Sequence, residues 1–128
     1  MSSDTSAPTL PVVRIYSDAE GISHIADEQI QLVQPDAGRS THFTRTRSIA
    51  FRILPAGMFR DWHPTPLRQY VIINSGTVEV GTADGQVRQT GPGSVTLLED
   101  TEGKGHTTRV LGNRPAIVAF IPLASDKK

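Results

Sequence analysis

The chain contains no cysteine, and that single absence excludes disulfides, thiolate metal centres and cysteine nucleophiles. It also lacks net charge, since 13 Lys and Arg residues balance 13 Asp and Glu residues. No global field therefore draws it to nucleic acid or to an anionic membrane surface. No apolar run approaches the roughly 20 residues that a membrane-spanning helix requires. The opening M-S-S-D-T-S-A-P-T has neither a basic n-region nor an apolar h-region, so no signal peptide is expected. A soluble cytoplasmic protein is the default expectation. No internal repeat is present, and 128 residues suffice for one domain with a real core but not for two.

What remains is β-strand patterning. Residues 1–10 are small, polar and proline-punctuated and read as a disordered tail, Ser125–Lys128 as a polar one, which leaves a domain over 11–124. Pro11–Tyr16 alternates as a short strand. Ser23–Ile30 is open between a helical turn and an extended arm, and Pro35–Gly38 is a turn by composition. Ile49, Phe51 and Ile53 alternate with Ala50 and Arg52, which predicts a strand with one buried face, ended by Pro55-Ala56-Gly57. Arg52 lies on its other face. Tyr70–Ile73 is continuously apolar, as a strand buried on both faces would be. Asp84-Gly85 predicts a hairpin between Thr77–Val80 and Gln86–Gln89. After the Gly91-Pro92-Gly93 turn, strands are expected over Ser94–Leu98, His106–Leu111 and Ala116–Leu123. Many short strands, Gly/Pro turns and no convincing helix predict an all-β sandwich or barrel.

Six arginines (Arg39, Arg45, Arg47, Arg52, Arg60 and Arg68) fall in one region whose only acid is Asp61. Most read as solvated strand faces. One or two that faced a cavity would hold a carboxylate, because the guanidinium fork matches that geometry.

Gly57 to Gly76 runs G-M-F-R-D-W-H-P-T-P-L-R-Q-Y-V-I-I-N-S-G. This resembles the first motif of the cupin family, G-(x)5-H-x-H-(x)3,4-E-(x)6-G. Gly57, His63 and Gly76 stand in register, while Thr65 replaces the second His and Gln69 the Glu. Pro92-Gly93 and His106 resemble the second motif, G-(x)5-P-x-G-(x)2-H-(x)3-N, across a longer loop and with Val110 at the Asn position. The run E-D-T-E-G-K-G-H, Glu99 to His106, is similar to a segment of small single-domain cupins, RmlC-like jelly rolls. The resemblance covers about Phe51 to Phe120. It implies a cupin-type jelly-roll β-barrel and a homodimer acting on a small-molecule substrate.

The resemblance also implies where a site would lie. Cupin centres hold manganese, iron, nickel or zinc with three His and one Glu; the matching positions here offer His63, Gln69 and His106, with Thr65 a poor ligand. Two imidazoles and an amide carry no negative charge, so a divalent metal would be weakly held, and the set suits iron oxygenase chemistry poorly. Positions 63, 65 and 69 share a face in a regular strand. Pro64 and Pro66 weaken that strand and put His63 near the barrel mouth.

Three readings stay open. The three residues hold a metal acting as a Lewis acid. Alternatively an imidazole, with an ordinary pKa of about 6.5, is a general base tuned by Asp61, Glu99 or Asp100. In the third reading the pocket binds a metabolite without chemistry. The preferred function is a lyase- or isomerase-like step at a His63/Gln69/His106 centre, with a metal-dependent dioxygenase as the alternative. Arg52, Thr65 and Glu99 are the expected substrate contacts. Otherwise Glu99-Asp100-Thr101 reads as a solvated loop with an Asx turn. Gly103-Lys104-Gly105 lacks phosphate-loop spacing. Trp62 is expected at the rim, and His24 and His42 are expected to be structural.

Overall fold

A computed structural model describes residues 9–33 and 38–125. Eight of its strands form nested antiparallel pairs. The innermost is β6 (Thr77–Thr82) with β7 (Val87–Thr90), then β5 (Gln69–Ser75) with β8 (Val95–Glu99). Outside these lie β4 (Phe59–His63) with β9 (His106–Leu111), and β3 (Ala50–Leu54) with β10 (Ala116–Pro122). Such nesting is one long hairpin bent back on itself. Rolling it up creates the further β5–β10 and β6–β9 pairs. Two facing sheets result, β3-β10-β5-β8 and β4-β9-β6-β7, the arrangement of a jelly roll. β1 (Thr9–Ser17) joins β8 in parallel, and β2 (Ser23–Gln31) pairs with β1, so the first sheet has six strands.

The turns follow from local chemistry. Gly85 has φ +92° in the Asp84-Gly85 hairpin, a conformation most side chains avoid. Gly76 has φ +87°, and a Cβ there would lie 2.7 Å from the Ala116 Cα, so only glycine lets the β5–β6 corner pass against β10. Inside, Ile73, Val78, Val110, Ala116 and Val118 form one buried cluster, and Ile15, Ile25, Val80 and Leu98 a second. Each large side chain in them contributes about 1.5–3 kcal/mol by leaving water.

The structure resolves the open segment and corrects others. Ser23–Ile30 is strand, registered against β1 from Thr9↔Gln31 to Ser17↔Ser23. Thr9 and Leu10 belong to β1 rather than to a tail. The remainder of that expected tail, residues 1–8, lies outside the described residues, as do 34–37 and 126–128.

The largest correction concerns β3 and the residue before it. Ile49, Phe51 and Ile53 do not face the core but point outward, 55 %, 70 % and 69 % exposed. Ala50, Arg52 and Leu54 face the barrel interior instead. Alternation places three apolar residues on one face without saying which side of the sheet that face meets. In β5 likewise neither face is buried throughout: Val71 and Ile73 point inward but only Ile73 is fully buried, while Tyr70 and Ile72 are half-buried on the outer face beside Ile121 and Ala119. Among the described residues no helix is long and apolar enough to cross a membrane.

Candidate functional site

The two sheets enclose a cavity of about 440 Å³. Its walls are largely apolar, with Leu54, Met58, Val71, Ile73, Val118 and Phe120 prominent. Arg52, Arg60, His63, Thr65, Gln69 and His106 bring polar groups into it, and no acid is among the described residues that line it.

His63 ends β4 and His106 begins β9, and the two stand directly opposite one another. Their ring centroids are 4.6 Å apart with planes inclined at 54°. On β4 Arg60 faces Thr108 and His63 faces His106, so three steps on one strand match two on the other. This bulge at Asp61–Trp62 turns His63 to the side that Arg60 already occupies, although their spacing is odd. The expected single strand carrying 63, 65 and 69 is therefore corrected. β4 stops at His63, Thr65 lies in the connection, and Gln69 opens β5 in the opposite sheet. The three converge because both inner faces look into one cavity.

Each imidazole is oriented from behind. His63 Nδ1 lies 2.7 Å from the Asp61 carbonyl oxygen. A carbonyl only accepts, so Nδ1 carries the proton and Nε2 keeps its lone pair. His106 Nδ1 donates to Asp100 Oδ2 at 2.6 Å, which sets the same tautomer. Asp100 is completely buried, and its Oδ1 has no partner among the described residues. Its solvated-loop reading is corrected accordingly, because its main-chain oxygen takes the Thr65 N–H at 3.1 Å and ties the segment beneath the site. Of the three carboxylates weighed for tuning an imidazole, only Asp100 reaches one. The Asp61 carboxylate instead accepts from the Trp62 N–H at 2.9 Å. Burial pushes the His63 imidazole below its ordinary pKa; the bond to Asp61 opposes this, and positive charge at His106 and Arg60 adds to it.

Gln69 is oriented too. Thr65 Oγ1 donates to the Leu67 carbonyl at 2.7 Å, so it can only accept from Gln69 Nε2, 3.0 Å away. The amide oxygen is left without a protein hydrogen bond among the described residues.

The E-D-T-E-G-K-G-H run holds this arrangement together. Gly105 has φ +77°, and a Cβ there would collide with the His63 carbonyl and Pro64. Its carbonyl accepts from Ser23 Oγ at 2.6 Å, and that oxygen accepts from the Ala83 N–H at 2.7 Å, so β2 anchors the run. Trp62 stays outside the cavity at the rim, where Lys104 Nζ sits 4.3 Å from its ring centre.

Arg52 does line the cavity, with its guanidinium 4.8 Å from the Phe120 ring centre, and Thr65 lines it as well. Glu99 does not, which corrects its expected contact with substrate. On β8 Thr96 and Leu98 face inward, so Glu99 alternates outward and meets Arg14 Nε and Arg68 Nη2, each at 2.6 Å. Burial would raise the Glu99 pKa, but the bonds from Arg14 and Arg68 outweigh it and hold the carboxyl below its ordinary value. His24 is structural as expected, with Nε2 2.7 Å from Asp18, Nδ1 3.0 Å from Asp84, and its ring stacked on Tyr16. Arg60 was not singled out among the six arginines as a site residue, because the bulge that accompanies it leaves no mark in the alternation.

The donors fit a resident divalent metal poorly. Two imidazoles and one amide are neutral, and two guanidiniums line the same cavity. No cluster of three or more His, Cys, Asp or Glu side chains suited to a metal occurs among the described residues.

No family model matches the chain, and no characterised protein sequence does. Solved structures of similar shape include an RmlC-like cupin protein from Desulfovibrio desulfuricans, at 12 % identity and TM-score 0.45, covering 95 % of this chain and 96 % of that one. Another is the cupin domain of Schizosaccharomyces pombe Cnp3, also at 12 % and 0.45, with coverage of 93 % and 86 %. The strand order defines the class independently of either: an all-β jelly-roll barrel. The paired histidines lie on the inner face of one of its two sheets.

Proposed function

We propose that the protein is a small-molecule enzyme performing a lyase- or isomerase-like proton transfer at the His63–His106 pair. One observation carries this: two adjacent imidazoles have each Nδ1–H committed to an oxygen acceptor, leaving both Nε2 lone pairs for the cavity. His106 is the base. It takes a proton on Nε2 and returns it, while Asp100 holds the tautomer and stands against the imidazolium that forms. His63, its pKa depressed, stays neutral and accepts a hydrogen bond from the substrate. The Gln69 amide oxygen orients a substrate donor, and the apolar walls exclude water. Arg52 holds substrate by charge.

The test needs no identified product. Carbonyl compounds, charged and uncharged, are incubated in D2O and their α-hydrogens followed by proton NMR. Deuterium incorporation that disappears in His106→Gln supports the reading. No incorporation in any compound, or incorporation untouched by that variant, refutes it.

A second reading keeps His63, Gln69 and His106 as metal ligands. The observation favouring it is that metal-bound histidines are oriented by just such oxygen acceptors behind the ring. Elemental analysis of protein purified without a metal-affinity step separates the two, since near-stoichiometric manganese, iron, nickel or zinc that is lost in His63→Ala/His106→Ala favours the metal.

The homodimer remains a proposal as well. Ile49, Phe51, Ile53 and Ile117 form an exposed strip without a charged side chain, and β3 is an edge strand. A second copy related by a twofold axis offers the same apolar strip and the same free edge, so the contact is self-complementary.

A further inference from the structure

Four arginines of this barrel are paired with carboxylates. Arg14 and Arg68 bind Glu99, Arg88 binds Asp27 at 2.5 Å, and Arg109 approaches Glu79 at 3.9 Å. Arg52 and Arg60 differ. Both line the cavity, and neither has a carboxylate partner among the described residues. Both sit on edge strands, Arg52 on β3 in one sheet and Arg60 on β4 in the other. Between them runs the turn through Pro55-Ala56-Gly57, with Arg52 three residues before Pro55 and Arg60 three after Gly57. The inward positions beside them are apolar, Leu54 on one strand and Met58 just before the other, and Phe120 lies under the Arg52 guanidinium. Two cations thus stand at the open side of a largely apolar cavity that has no acid in its described lining.

We propose that the cavity takes a small organic acid, an apolar body bearing a carboxylate, with Arg52 and Arg60 holding the carboxylate at the open side and the body directed toward His63 and His106. The inference rests on the reading of this cavity as the working site and adds the class of molecule. A guanidinium binds a carboxylate through two parallel N–H donors, and beside low-dielectric walls that contact is stronger than in water. A carboxylate also supplies the negative charge that the lining lacks. The apolar body matches Leu54, Met58, Val71, Ile73 and Phe120, which a highly hydrated polyanion would not. This commits the site to organic acids rather than to phosphate.

The experiment measures binding alone, by isothermal titration of the full chain with benzoate, 4-methyl-2-oxopentanoate, benzamide and inorganic phosphate. At least one of the two acids binds, benzamide does not, and Arg52→Gln and Arg60→Gln each weaken the acid by about tenfold or more. Arg52→Lys and Arg60→Lys retain part of the affinity, which shows that charge and not folding was lost. Arg109→Gln, on the outer face, leaves it unchanged. The proposal is overturned if benzamide binds as tightly as benzoate, if phosphate binds and the acids do not, if neither acid binds, or if Arg52→Gln/Arg60→Gln binds as the wild type does. Failure of α-hydrogen exchange with intact, arginine-dependent binding would sink the proton-transfer reading and leave this one standing.

Discussion

Replacing Asp100 by Asn tests the centre of the proposed chemistry by exchanging a single carboxylate oxygen for an NH2 group. The side chain is fully buried, so solvent does not screen the effect. In the wild type Oδ2 accepts the His106 Nδ1–H, and Oδ1 has no partner among the described residues. Asn has two ways to fill that space. Its carbonyl can accept from Nδ1, which puts an NH2 group where Oδ1 lies and leaves a buried donor unsatisfied at about 1–3 kcal/mol. Alternatively the NH2 faces Nδ1, and His106 must move its proton to Nε2. The first arrangement replaces a charge-assisted bond by a neutral one, a difference of about 1–2 kcal/mol against the imidazolium and so about tenfold in rate. The second removes the base, worth about 10²–10⁴-fold. Stability should fall by less than about 3 kcal/mol, because relief of a buried charge offsets part of the loss. Nitrogen-15 NMR of the imidazole reads the tautomer, urea unfolding the stability, and deuterium incorporation the rate. An Asn variant that keeps the Nδ1–H tautomer and exchanges within about threefold of the wild type refutes the role given to Asp100.

His24 provides a pH-dependent prediction. Its pKa is raised, first by the bond to Asp18, with burial opposing and the Asp84 charge assisting. Burial would raise the Asp84 carboxyl, but bonds from Thr82 and Gln86 bring it to about 2, so it stays ionised throughout. A histidine whose folded pKa lies above its unfolded value of about 6.5 stabilises fully below that value and loses the contribution as pH rises through the folded pKa. The melting temperature of His24→Gln should therefore lie furthest below wild type in mild acid, and the gap should close as pH rises above about 6.5; a gap that ignores pH would show the clamp is not ionic. For the proposed dimer, Phe51→Glu should convert a two-chain species to one chain in sedimentation while the monomer stays folded. Wild-type protein that sediments as a single chain at micromolar concentration refutes it.

Much of the architecture was legible in the residues. The hairpin at Asp84-Gly85, β9 from His106 and the start of β10 at Ala116 follow from turn chemistry and alternation, which act over a few residues. The cupin resemblance also picked out His63, Gln69, Thr65 and His106, all of which line one cavity. Sequence reading failed where pairing decides. Parity along a supposed strand linked 63 to 69, yet those residues lie in different sheets. Asp100 was one of three carboxylates weighed for an imidazole, and nothing in E-D-T-E-G-K-G-H tells the fully buried acid from its two neighbours before the loop is folded.

The amino-acid sequence by itself determined most of the segments that extend, where glycine must turn the chain, and which side chains share a face within an unbroken strand. Those are short-range matters of sterics and a two-residue period. Only the tertiary structure decided which face looks inward. It put Arg52 in the cavity and Phe51 in solvent, turned Glu99 out to two arginines, and through one extra residue on β4 brought Arg60 and His63 to the same side. The physical reason is that the side a strand presents is set by the partner it hydrogen-bonds, and those partners lie tens of residues away.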